Sequence, residues 1–334
     1  MRARRSTLAA VAAGVLLLTS ACGQAGSSGG STSTSTSSAA ALTTCAPVAG
    51  DKLVVLEDDK GLQTVDNIVP AINSKAIAGD STIIPLLDAV SATLDTKTLI
   101  GLNKSVDVDR QTSTQVAKAF LAAKGLAAQD SVGNGKKIVV GAANFSESAT
   151  LAAIYAGVLK SAGYDATTQT IGARDTYEPP LEQGKLTIVP EYAGTLTEFL
   201  NKKENGADAK PLASSDLDAT MKELTTLGTK VGLSFGTPAA AQDVNSFAVT
   251  TAFADKYKVK TLSELATTCG GLVLGGPPEC PDRPFCEPGL KKTYHLQITD
   301  FTSLDAGGPL TKTAIKEGKV ALGLVFSSDA ALAG

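Results

Sequence analysis

The chain of 334 residues predicts an α/β fold made of two lobes with a cleft between them. Three observations carry this expectation. From residue 138 onward, apolar strand runs alternate with helical patterns, as in a parallel α/β sheet. Near residues 238–246 the alternation is broken by a stretch without helical period, and beyond it a second α/β unit follows. Once the N-terminal segment is set aside, about 290 residues remain, enough for two lobes.

That segment reads as export and tether. MRARRSTLAAVAAGVLLLTSAC carries Arg2, Arg4 and Arg5, then an apolar run too short to span a bilayer, then Thr19, Ser20 and Ala21 ahead of Cys22. This is the layout of a signal peptide over residues 1–21. The run into Cys22 resembles the lipobox of bacterial lipoproteins, which implies a lipid on Cys22; Thr19 departs from the preferred leucine. Residues 22–44 are dominated by Ser, Thr, Gly and Ala and have little to bury, so they predict a flexible, lipid-anchored linker. The expected location is the extracytoplasmic face of the cell membrane. No later segment is long and apolar enough to cross a bilayer.

Thirty Lys and Arg against thirty-three Asp and Glu leave a net charge of -3 with no basic stripe, which argues against a nucleic-acid partner. The single histidine, His295, excludes a His-cluster metal site, and its setting in KKTYHLQI reads as an exposed strand start. No metal and no cofactor is predicted. Apart from Cys22 there are four cysteines, which allow three pairings in an oxidising compartment. The proline-rich ECPDRPFCEPG favours a loop stapled by Cys280–Cys286, leaving Cys45–Cys269; zinc competes poorly because no CxxC pair is present.

In chain order, LVVLE (53–57) is a strand, and DNIVPAIN (66–73) is a second in which Pro70 marks an edge or a bend. Three short amphipathic helices are expected over 81–125, followed by a Gly/Asn/Ser linker over 127–137. Next come a strand at 138–141, a helix from Ser148 to Ala162 stopped at Gly163, a further strand, a short helix, and a strand at Leu186–Val189. PEYAGT is read as a loop opening the helix TLTEFL. After VNSFAVTTAFADKY the pattern gives a helix in TLSELATTC, a strand in LVLGG, a helix in TKTAIKEGKV and a last strand in ALGLVFSSD. Loops at strand carboxyl ends, ANFSES, PEYAGT and VFSSD, are the natural pocket walls.

VVGAANFSES, GARDTYEPPLEQGKLTIVPEYAGTLTEFL, VNSFAV, ECPDRPFCEPGL and GLVFSSD together resemble the substrate-binding proteins of osmoprotectant ABC transporters, over nearly all of residues 51–334. The resemblance implies a periplasmic-binding-protein-like fold of type II. In that family the LVVLEDDKG strand follows the VFSSD segment and the three helices close the chain. Here both come first, so the sequence reads as circularly permuted. Lobe I is expected over residues 59–243, including the displaced helices, and lobe II over 45–58 plus 244–334.

The same resemblance implies a small quaternary ammonium or zwitterionic solute such as glycine betaine or choline, ABC permease subunits as partners, and a monomer. A quaternary ammonium has no proton to donate, so aromatic faces must hold it. The family's cage positions fall on Tyr192, Phe247 and Phe326, with Tyr192 expected in a loop where packing gives it little purpose. Arg283 matches the arginine that grips a carboxylate, and Thr195, Ser148 and Asn144 match polar contacts. Arg174 is expected outside the site, paired with Asp175 or Glu191. Asp66 stands at or near a cage position where relatives carry a tyrosine, Ala143 replaces a lysine of some relatives, and there is no tryptophan. These departures tilt the pocket toward a more cationic solute. Two other readings are a sensing or structural lipoprotein with an altered pocket, and a serine hydrolase using Ser148 or Ser327, against which stands the single histidine, His295, whose setting does not suit a catalytic base.

Overall fold

The computed structural model describes residues 42–128, 130–206, 208–278 and 280–333. The expected signal peptide, the expected lipidation site Cys22 and all but the last residues of the expected linker lie outside them. Two five-stranded sheets organise the chain. The first contains β3 (Ile68–Asn73), β4 (Lys137–Ala143), β5 (Asp165–Gly172), β6 (Ile188–Tyr192) and β7 (Leu233–Phe235), in the order β5-β4-β6-β3-β7. The second contains β2 (Leu53–Leu56), β8 (Asn245–Thr250), β10 (Leu272–Gly276), β11 (Ile298–Ser303) and β12 (Leu322–Phe326), in the order β11-β10-β12-β8-β2. A two-stranded ribbon joins β1 (Thr43–Thr44) to β9 (Cys269–Gly270).

Both sheets are mixed, where the strand–helix alternation predicted parallel ones. β4 pairs parallel with β5 and β6, and β10 pairs parallel with β11 and β12. The exceptions are β3, antiparallel to β6 and β7, and β8, antiparallel to β12 and β2. Each is the first strand after the chain has crossed from one sheet to the other, over residues 57–67 and again over 236–244. A chain arriving at the carboxyl edge of a parallel sheet can join it directly only by running the opposite way.

Pro70 sits in the interior of its sheet, not at an edge, and faces Pro190 on β6. Bonds from Ala193 N to Asn67 O and from Asn73 N to Thr187 O put the hydrogen-bonded pairs of this ladder at odd-numbered residues of β3. Pro70 therefore occupies a non-bonded pair, and on its other side its carbonyl accepts from Gly236 N at 3.0 Å.

The three N-terminal helices form as expected: α1 (Ile83–Ser91), α2 (Thr96–Asp107) and α3 (Ser113–Lys124). Asp95 caps α2 through Thr98 N, and Thr112 with Gln115 makes a capping box on α3, which ends at Gly125 in the left-handed region. With α4 (Ser146–Ser161) they cover one face of the first sheet, and Ile83, Leu87, Leu99, Phe120, Ile154 and Tyr155 are buried there. On the other face α5 (Arg174–Glu182), α6 (Ala193–Asn205) and α7 (Leu217–Lys230) bury Leu181, Leu196, Leu200 and Leu224. The α7–β7 segment had no assignment from sequence. Asp216 caps α7 through Ala219 N.

The second sheet packs α8 (Thr251–Tyr257), α9 (Leu262–Thr268), α10 (Glu287–Gly289) and α11 (Pro309–Lys316). His295 is exposed, but it begins no strand: it ends a helical turn over Leu290–Tyr294 with φ of 61°, and β11 starts at Ile298. Disulfides join Cys45 to Cys269 and Cys280 to Cys286. The first ties β1 to β9 across a sequence separation of 224. Among the described residues no helix is long and apolar enough to cross a membrane.

Closing so long a loop constrains the unfolded chain strongly. Cys45→Ala with Cys269→Ala is expected to lower unfolding free energy by about 2–5 kcal/mol in denaturant titrations, while Cys280→Ala with Cys286→Ala, which closes a short loop, costs less.

Candidate functional site

Because β3 and β8 run against their neighbours, their amino ends lie at the same edges as the carboxyl ends of the parallel strands. In the first lobe this edge gathers Asp66 ahead of β3, Ala143 to Phe145 at the end of β4, Arg174 after β5, and Tyr192, Gly194 and Thr195 at the end of β6. In the second it gathers Asp243 to Asn245 at the start of β8, Phe326 at the end of β12 and Phe285 in the loop after β10. All of these line one cavity of about 750 Å³, a volume suited to a small organic solute.

Two crossings form its floor, hydrogen-bonded to each other: Ile68 N donates to Ala241 O at 3.0 Å, Ala239 N to Ile68 O at 2.8 Å, and Asp243 N to Asp66 O at 3.2 Å. Asn67 Nδ2 adds a bond of 2.8 Å to Ala239 O. Asp66 and Asp243 are thereby fixed as neighbours. Gly194 lets α6 press against the first crossing, since a Cβ there would lie 2.1 Å from the Val65 carbonyl oxygen.

Tyr192 is not in a loop. It is the last residue of β6 and the cap position of α6, buried, with its hydroxyl donating to Glu147 Oε1 at 2.6 Å. The other Glu147 oxygen accepts from Asn103 Nδ2 at 2.6 Å, and the same Asn103 nitrogen donates to Ser328 O at 2.9 Å. Burial raises the Glu147 carboxyl above its ordinary range, only partly opposed by the Tyr192, Asn103 and Ser328 bonds. Burial, with Glu147 and Asp243 nearby, holds the Tyr192 phenol neutral.

The rings of Tyr192 and Phe145 lie side by side, with centroids 6.2 Å apart and planes inclined by 31°. Tyr177, Phe199, Phe285 and Phe326 supply further aromatic surface. Phe247 does not. It is 1% exposed, opposite Leu324 and Leu56 in the middle of the second sheet, and belongs to that lobe's core. Phe285 takes a place on the second lobe's wall that sequence reasoning had not assigned, held by the Cys280–Cys286 loop and by Gln63 Nε2 donating to its carbonyl at 2.9 Å. Its aromatic type, inside a disulfide loop, was the available signal.

Arg283, from the same loop, is exposed and does not line the cavity. Arg174 does line it, contrary to the expectation that it lies outside, although it pairs with Glu191 as anticipated. Its Nε donates to Glu191 Oε1 at 3.0 Å and its Nη2 to Oε2 at 2.7 Å, while Nη2 also reaches Thr195 Oγ1 at 2.8 Å. Burial works against that charge, but Glu191 outweighs it and keeps the guanidinium protonated. Asn144 and Thr195 line the cavity. Ser148 is buried beneath it, its Oγ accepting from Ala143 N at 2.9 Å. Ser327 Oγ donates to Gln242 O at 2.9 Å, so both serines proposed as nucleophiles brace backbone.

Asp66 Oδ1 accepts from Thr195 N at 2.9 Å, which gives α6 the cap that its own first residues lack. Burial nevertheless pushes its carboxyl up to about 7, against the opposing pull of Thr195 and Arg174. Asp243 is also pushed up to about 7, by burial and by Glu147, while Ser328 Oγ, bonded to Oδ1 at 2.8 Å, pulls the other way. Asp243 had no signal in sequence, because its role depends on the pairing of crossings far apart in the chain.

The family model for the substrate binding domain of ABC-type glycine betaine transport systems matches residues 37–123 and 136–334. Among solved structures, one titled glycine betaine/carnitine/choline ABC transporter is 20% identical, with a TM-score of 0.46 over 59% of this chain and 70% of its own. The unliganded open form of the periplasmic murein tripeptide binding protein MppA is 10% identical, with a TM-score of 0.25 over 56% and 44% of the two chains. NikA from Brucella suis in complex with Fe(III)-EDTA is 14% identical, with a TM-score of 0.29 over 60% and 48%. No curated protein matches.

Raised carboxyls fix the sign of a pH effect. The folded pKa values of Asp66 and Asp243 lie above the ordinary 3.8, so their stabilising contribution is complete below about pH 4 and is lost as pH rises through about 7. The unliganded protein is therefore expected to melt at lower temperature at pH 8 than at pH 5. Asp66→Asn with Asp243→Asn should flatten that slope in a thermal-melting series.

Proposed function

The chain belongs to the family of substrate-binding domains of ABC-type glycine betaine transport systems, and from that premise we propose that it is a lipid-anchored extracytoplasmic receptor that delivers a quaternary amine to an ABC permease. The observation that carries the solute class is the cavity's wall: Phe145 and Tyr192 with their ring centroids 6.2 Å apart, and Phe285 and Phe326 from the second lobe. A methylated ammonium offers no hydrogen-bond donor, and aromatic faces with nearby carboxylates are what such a charge can use. Closing the lobes over the solute would favour the bound state, because contacts then come from both. The N-terminal layout supports the anchor and the extracytoplasmic location, and the receptor is proposed to act as a monomer.

The order of the segments is part of the same proposal. We read the chain as a circular permutation of the family's arrangement. What supports this is that Leu332, near the chain's end, packs with Leu53, Ala248 and Ile315, while Gly50 N bonds to Lys316 O at 2.9 Å. The family match is also divided in two, and residues 124–135 between its parts include most of the linker.

Calorimetry with choline, glycine betaine and carnitine tests the function: at least one is expected to bind, and Tyr192→Ala and Phe326→Ala should each weaken it by roughly 2- to 30-fold, the worth of one ring at about 0.5–2 kcal/mol. Absence of binding by all three would reject the solute class. A reordered chain that starts at Lys137, continues from Ala333 into Leu42 so that Cys45 and its bond to Cys269 are kept, and ends at Lys124 is expected to fold and bind like the original, and its failure to fold would reject the permutation.

A further inference from the structure

We propose, resting on the quaternary-amine reading, that this cavity selects an organic cation without a carboxylate, that Asp66 and Asp243 are the residues that set this preference, and that binding expels a proton from the pair. The argument begins with where the cavity's positive charge has gone. A ligand carboxylate is held best by the two parallel N–H groups of an arginine fork. The Nε/Nη2 edge of Arg174 is closed by Glu191, and its Nη2 also holds Thr195. Arg283 lies outside the lining, and Lys202, the other cation of the lining, is exposed at the mouth.

Negative charge is placed the opposite way. Asp66 and Asp243 line the cavity side by side, linked through Asp243 N to Asp66 O, and among the described residues no ion pair ends on either of them or on Glu147. The charged and titratable groups facing Asp66 are Arg174 from α5, Glu191 and Tyr192 from β6, and Asp243 from the second crossing. Those facing Asp243 are Glu147 from α4, Tyr192 from β6 and Asp66. Apart from Arg174, already engaged by Glu191, every one of these neighbours is acidic or a neutral phenol, so two carboxylates here resist ionising together.

An onium ion changes that balance. It sits against the aromatic faces, brings a positive charge that makes no hydrogen bond, and favours the ionised form of both acids. The proton lost by the pair passes to solvent. A zwitterion gains less, because its own carboxylate would enter a wall already bearing two.

Calorimetry of the full-length chain with choline chloride and with glycine betaine, at pH 6 and pH 8 in buffers of different ionisation enthalpy, tests this. Choline is expected to bind more tightly than glycine betaine and about tenfold more tightly at pH 8 than at pH 6, with up to one proton released at pH 6. Asp243→Asn should change the number of protons released and reduce the preference for choline; Asp66→Asn should do the same, its folding checked by melting because it also caps α6. Tighter binding of glycine betaine, or choline binding that is independent of pH with no proton released, would overturn this inference and leave the quaternary-amine reading standing. Binding of neither compound would overturn this inference, and failure of carnitine as well would overturn the quaternary-amine reading.

Discussion

Antiparallel pairing of the two crossings is the constraint on which the rest of the molecule depends. Ile68, Ala239 and Ala241 exchange backbone bonds in the short stretch where the chain passes between lobes, and Asp243 adds one to Asp66. This pairing decides which end of each sheet receives the arriving strand. It therefore decides that β3 and β8 run against their neighbours, and that the amino ends of those strands meet the carboxyl ends of β4, β6 and β12. Every loop that lines the cavity is placed by that single geometric fact. The same pairing sets two carboxylates next to one another, an arrangement a fold tolerates only where charge can be neutralised by a proton or by something that enters the cavity.

Behind the aromatic wall a second set of bonds spans the lobes. Glu147, in the first turn of α4, accepts from Tyr192 and Asn103, and Asn103 also holds the carbonyl of Ser328, which follows β12 of the other sheet. Ser328 in turn donates to Asp243. The ring of Tyr192 is thus positioned by a hydrogen-bonded network that includes both lobes and one crossing. A ring locked in this manner presents its face without the entropic cost of ordering it on binding. The disulfide loop does similar work for Phe285 from the opposite wall, with Gln63 of the first crossing gripping its backbone.

Much of this was legible in the residues. Helical period and capping residues located α1, α2 and α3, and cysteine parity with two prolines between Cys280 and Cys286 indicated the stapled loop. The resemblance pointed to Tyr192, Thr195, Asn144, Asp66 and Phe326, all of which line the cavity. Phe247 went the other way, because alternation along β8 puts it into the core, and a strand's facing cannot be read until its partners are known. Arg174 was expected outside the site because its ion pair with Glu191 looked purely structural. The pair exists, and it stands in the cavity wall, where occupying the guanidinium is itself a statement about the ligand.

By itself the sequence determined most of the local elements and the two α/β units, since these depend on spacing and side-chain type along short stretches, and its resemblance to a family pointed to an aromatic pocket. Tertiary structure alone decided which aromatic side chains reach the cavity, that Pro70 lies inside a sheet, and that Asp243 joins Asp66. Each of these depends on the register between segments more than a hundred residues apart, and burial and charge coupling arise only when those segments meet.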